Sequence, residues 1–218
     1  MCFSAEASFA GGVIISTIGI ATVTKIHKPS QLVFACIPLF FGFQQFAEGL
    51  LWLTLPYYEY VYLQKIGTYI FLIMAEVFWP VMVPLSVLLM EENKKRKRLL
   101  LILLTMGISL GLYYSYCFLS FEVTPKIINY HIQYDNEFPK SMVVLTNIIY
   151  LITTIVPLFI SSIKRTRLLG VLIFLSCLIT AIFFTQTLTS VWCFFAALIS
   201  GVIFWILRDS KRKFNFEN

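Results

Sequence analysis

Two carboxylates stand inside long apolar stretches of this 218-residue chain, Glu48 in FGFQQFAEGLLW and Glu76 in IMAEVFWPVMVP. Burying an acid in a hydrocarbon setting costs several kcal/mol, so each marks a candidate functional site. Gln44, Glu48 and Trp52 recur at i, i+4 and i+8, which places them on one helical face with Gln45 beside them. Carboxylates that share a cavity repel one another and lose hydration. Both effects favour the protonated form, which suits proton transfer or cation binding. The competing reading is structural, with each acid protonated or hydrogen-bonded to a neighbouring helix as packing glue. His131 sits in NYHIQYD, where Tyr130, Gln133, Tyr134 and Asp135 are near in sequence and able to orient an imidazole for acid–base work. Glu48, His131 and Glu76 are therefore the catalytic candidates. Gln44, Gln45, Trp52, Asn147, Tyr134, Trp192, Cys193, Cys2 and Glu6 are the candidates for holding a substrate.

Other chemistries fit less well. After methionine removal Cys2 would pair a thiol with a free α-amine, but the rest of an N-terminal nucleophile signature is missing. Cys2, Glu48, His131 and Cys193 could in principle gather around zinc, yet no HxxxH or CxxC spacing supports it, so no metal site is expected. Nothing identifies a cofactor. Of the five cysteines, Cys2, Cys117 and Cys193 map toward one side, where a disulfide is conceivable and a packed thiol is the commoner state.

The elements that must position these groups are membrane helices. The chain is 59% hydrophobic and 13% charged, with a mean hydropathy of +0.83; a soluble domain carries about 25% charge. Seven apolar segments are expected at about 9–24, 32–55, 66–90, 99–119, 142–161, 168–184 and 190–207, followed by a basic tail over 208–218. Together they form one transmembrane helical domain over 1–218. Of 17 Lys and Arg residues, 14 fall in alternate loops: Lys25 and Lys28, Lys94 to Arg98, Lys164 to Arg167, and Arg208 to Lys213. The positive-inside rule puts these in the cytoplasm and the amino terminus outside. The fold class is thus all-α, an integral membrane bundle of seven transmembrane helices with a cytoplasmic carboxyl terminus. MCFSAEAS has no positive leader and reads as an uncleaved start, with Ser4 placed to cap the first helix and Glu6 in its first turn.

That topology sorts the polar residues. Cys2, Glu6, Gln44, Gln45, Glu48, Trp52, His131, Asn147, Trp192 and Cys193 all fall in the outer half, while the inner half is nearly featureless. By helical rise Glu48 lies about 9 Å and Glu76 about 15 Å below the outer ends of their spans. Pro80 removes the hydrogen bond to the carbonyl of Glu76, which predicts a kink beside that acid. Residues 120–141 form the longest loop, and loops of that size are often functional.

MCFSAEASF, IPLFFGFQQFAEGLLW, FWPVMVPLS, HIQYD and SVWCFFAA resemble stretches shared by an uncharacterised family of bacterial polytopic membrane proteins of about seven spans, whose members begin with MCFSA. The resemblance covers nearly the whole chain and implies a bacterial inner membrane protein. It singles out Cys2, Glu6, Gln45, Glu48, Trp79, Pro80, His131, Tyr134, Trp192 and Cys193, and implies no particular activity.

The partner expected is the lipid bilayer, together with a small-molecule or lipid-like ligand. The +6 charge sits at membrane edges and does not point to nucleic acid. The favoured function is a membrane-embedded enzyme or binder with a polar outer pocket. A proton-coupled carrier would need a polar route to the inner face, which the inner halves of the spans hardly offer. A non-catalytic assembly partner would leave Glu48→Gln silent.

Overall fold

Ser4 starts the first helix by accepting a hydrogen bond from the Ala7 amide at 3.3 Å, and Glu6 faces the helix dipole in the first turn. The computed structural model describes residues 4–128 and 130–214. Helix α1 (Ala5–Val23) leads into a short 3-10 turn, α2 (Leu32–Ala35) and α3 (Ile37–Thr54). The third span joins α4 (Val61–Leu72), a π-helical segment (Ile73–Phe78) and α5 (Trp79–Met90). Helix α6 (Lys94–Ser120) follows, then strands β1 (Val123–Ile128) and β2 (His131–Asn136), and helices α7 (Val143–Ile160), α8 (Thr166–Phe183), α9 (Leu188–Ser200) and α10 (Val202–Phe214).

Seven helical stretches are long and apolar enough to cross a membrane: Ala5–Val23, Pro29–Thr54, Tyr58–Met90, Lys94–Ser120, Lys140–Ile160, Thr166–Phe183 and Thr185–Arg208. Their outward faces are apolar, with Leu112, Val144 and Phe183 each more than 60% exposed, as a helix surface against lipid requires. Helices α1 and α3 pack along much of their length. There a side-chain carbon on Gly12 would stand 3.3 Å from the Gly42 carbonyl, so small residues let the two backbones approach.

The loops after α1, α5 and α7 meet at one end of the bundle, here the basic end. Lys28 bridges to Glu92 at 3.0 Å, and Glu91 accepts the Ser162 amide at 2.8 Å. Asn93 caps α6 through bonds from the amides of Lys95 and Arg96. The large core cluster holds Phe34, Val87, Leu100, Leu169, Ile203 and Leu207. A second cluster, toward the opposite end, holds Phe71, Leu72, Leu110, Tyr114, Phe118 and Cys193.

The 120–141 loop contains an antiparallel hairpin, registered from Val123 opposite Asn136 to Ile128 opposite His131. Tyr130 adopts φ 62°, a left-handed conformation suited to a two-residue turn between twisted strands. β1 packs on α4, and β2 packs on α9 and the 3-10 turn before it, so the hairpin closes over that end of the bundle. Lys126 and Asp135 pair across it at 2.7 Å.

Candidate functional site

The α3 face carrying Gln44 and Glu48 is buried, and so is Gln45. Gln44 ties α3 to three other helices with its amide. Its oxygen accepts from Trp79 Nε1 at 2.9 Å, and its nitrogen donates to the Phe71 carbonyl at 3.4 Å and to Cys193 Sγ at 3.3 Å. The indole can only donate, so this partner fixes which end of the amide is which. Phe41 stacks on Trp79 at 3.9 Å between ring centroids and holds the indole in place. One turn along α3, Glu48 accepts a short hydrogen bond from Ser190 Oγ.

Helix α9 is the common support. Ser190 and Cys193, three residues apart, turn the same face toward α3, whereas Trp192 points toward α7 and α8, where it packs with Ile155 and Cys177. β2 brings His131 to the start of α9, where its ring meets Phe184 edge-on at 5.0 Å. Burial pushes the imidazole below its usual value, which favours the neutral form able both to donate and to accept. Tyr134, from the same strand, stacks on Phe71 at 5.2 Å. Lys126 and Gln133 bond Asp135 and hold its carboxyl below the usual carboxylate range.

Glu76 lies in the π-helical segment. Trp79 donates to the carbonyl five residues back, at Met74. Pro80 has no amide hydrogen for the next carbonyl in that register, which belongs to Ala75. Tyr150 supplies the missing donor, its hydroxyl 2.6 Å from Ala75 O. The orphaned acceptor is therefore at Ala75 and not at Glu76, because the helix absorbs Pro80 by widening a turn. π-Bulges of this kind recur at functional sites.

Glu76 lines a cavity of about 260 Å³ with Tyr114, Asn147, Tyr150, Trp192 and Cys193 among its neighbours. Glu48 does not line it, so the expectation of one cavity for both carboxylates is not met. Cys193 stands between them, lining the cavity and bonded by Gln44 one turn from Glu48. Asn147 sits exposed at the rim. Trp52 is half-buried at the end of the α3 face, and Glu6 is exposed on α1. Cys2 lies outside the described residues. Cys36, Cys117, Cys177 and Cys193 are free thiols.

Buried polar atoms without a hydrogen-bonding partner concentrate here: Glu48 Oε2, Glu76 Oε2, both polar atoms of Gln45, Trp52 Nε1 and Trp192 Nε1. Ser8 Oγ, on α1, is another. Such atoms cost free energy unless a water or ligand satisfies them. Acceptors and donors are both present, so the arrangement can bind a polar group and exchange a proton with it.

Tyr150 shares a polar stripe with Thr146, Asn147, Thr153 and Thr154 in the sequence, but neither it nor Ser190 carries a signal for the partner it meets. Each looks like one hydroxyl among many on an apolar helix, and its importance comes from the helix opposite. A family model, described as a family of unknown function (DUF6629), matches residues 1–216. No curated protein and no solved structure matches.

Proposed function

The chain belongs to this family of unknown function, and from the geometry of its site we propose that it is a membrane-embedded binder of, or enzyme acting on, a small lipid-like molecule. The observation that carries this reading is the pair of buried, unpartnered polar atoms on Glu76 and Trp192, two residues that line the cavity. In this reading Glu76 and Trp192 contact the ligand directly, Asn147 orients it, and Glu48 with His131 supplies acid and base. Gln44 holds Trp79 and Cys193 in register. The site faces the outside of a bacterial inner membrane, with the basic end cytoplasmic as the charge distribution favours.

Transport fits less well. Toward the basic end Trp192 and Cys193 also border a smaller cavity of about 60 Å³. It is lined mostly by apolar side chains such as Phe41, Val83, Leu158 and Ile203, with the hydroxyls of Thr154 and Ser200 and with no charged residue, a poor setting for an ion.

Native mass spectrometry of the protein released from nanodiscs tests the reading. Wild type should retain a bound molecule. Glu76→Gln should weaken its retention about tenfold, the effect of mismatching one buried hydrogen bond. Retention unchanged in both Glu76→Gln and Glu48→Gln would refute the site.

A further inference from the structure

The cavity beside Glu76 is lined on one side by residues of α7 and α8. α7 and α8 pack closely near their basic ends, where a side-chain carbon on Gly170 would stand 2.9 Å from the Phe159 ring. Ile155 and Cys177 still meet over Trp192. One turn further toward the hairpin the cavity is bordered by Asn147 and Leu151 of α7 and Ala181 of α8. All three border residues are exposed. Around them Val144, Ile148, Ile182 and Phe183 are exposed and apolar, a surface that belongs against lipid chains. Asn147 is four residues into α7, about 6 Å along its axis, so this border lies within the span and not at its tip.

We propose that this border is a lateral portal through which a single-chain amphiphile with a hydroxyl head enters from the bilayer, its head beside Glu76 and its chain left in the lipid along α7 and α8. The inference rests on the ligand site proposed above and adds both the route and the ligand class. Size selects a small head, since about 260 Å³ lies just below the range of ordinary ligand pockets, about 300–1,000 Å³. Charge selects a neutral donor. The lining contains a carboxyl group and no Lys or Arg, so a phosphate head would be buried there without a counter-charge. A hydroxyl can donate to Glu76 Oε2 and accept from Trp192 Nε1, two atoms that otherwise lack partners. The polar rim residue Asn147, set among exposed apolar neighbours, marks where the head crosses.

Photolabelling in nanodiscs provides the test, using hexadecanol with a diazirine near its hydroxyl as the probe. Wild type should be labelled on residues bordering the cavity. Ala181→Trp, which fills an exposed rim position without entering the core, should cut that labelling about tenfold, and Asn147→Leu should lower it in the same direction. Hexadecyl phosphate carrying the same group should label the cavity poorly. Cavity labelling that is unaffected by Ala181→Trp and Asn147→Leu but lost in Glu76→Gln would overturn the portal while leaving the site intact. Labelling spread evenly over all lipid-facing helices, in wild type and variants alike, would overturn both.

Discussion

Gln44 shows how much one side chain can hold together inside a helical bundle. Its amide joins α3 to Trp79 of α5, to the α4 backbone at Phe71 and to the α9 thiol of Cys193. Replacing it with leucine keeps the volume but leaves the indole N–H buried without an acceptor. Gln44→Leu should therefore destabilise the protein by about 1–3 kcal/mol, visible as a lower midpoint of thermal unfolding in detergent. Gln44→Glu keeps an acceptor for Trp79, so it should preserve the environment of that indole in near-ultraviolet circular dichroism. Glu48 and Gln44 were legible in the sequence because polar residues at helical spacing in an apolar run stand out. Ser190, which bonds Glu48, was not legible, because a lone serine near a helix start looks the same whether it faces lipid or a carboxylate.

The element that most shapes the site is the π-helical turn that carries Glu76. Three residues from three spans sustain it: Pro80 withholds a donor, Tyr150 replaces that donor at Ala75 O, and Gly107 of α6 packs directly against the Pro80 carbonyl. Tyr150→Phe removes only the hydroxyl and leaves that carbonyl unpaired. The expected loss is about 1 kcal/mol, and the same change should alter ligand retention, because Tyr150 also lines the cavity. Gly107→Ala has no room for its added carbon and forces the Pro80 backbone away. A cost of about 1–3 kcal/mol is expected, read from thermal unfolding. Sequence reasoning placed a distortion at Pro80 correctly in position, but a kink and a widened turn look alike until the partners of the freed carbonyls are known. The hairpin in the 120–141 loop was likewise read only as a long loop, since its strands are short and the pairing register depends on what they cover.

At the scale of the whole molecule, the basic end is tied together by a carboxylate. Glu91 accepts bonds from the amides of Glu92, Asn93 and Ser162 and from the Ser162 hydroxyl, which fastens the loop before α6 to the loop before α8. Burial alone would push this carboxyl up, but the bonds from Ser162, Asn93 and Glu92 outweigh it and hold it below its ordinary value of 4.5. A depressed value in the folded state means the ionised form stabilises the fold fully above that ordinary value, and the contribution fades as pH falls through the lower, folded-state value. Wild type should accordingly be more stable than Glu91→Gln at pH 7, with the difference in unfolding midpoint narrowing below about pH 4.5. A difference that stays constant between pH 7 and pH 3 would mean the carboxylate charge plays no part.

The seven apolar helices follow from the sequence alone, because hydrocarbon demands about twenty apolar residues per crossing and a helix that satisfies its own backbone. The crowding of acids, amides and indoles toward one end was also readable from hydropathy and spacing. Tertiary structure decided how those groups are divided. α9 shows Ser190 and Cys193 to α3 and Trp192 to α7 and α8, so Glu48 and Glu76 stand on different sides of Cys193 instead of in one pocket. It also decided that the exposed residues Asn147 and Leu151 of α7 and Ala181 of α8 border the cavity beside Glu76, since a sequence shows which residues can face lipid but not which of them meet across two helices. Toward the basic end the same two helices pack Phe159 against Gly170, a contact that exists only once α7 and α8 fold back on each other.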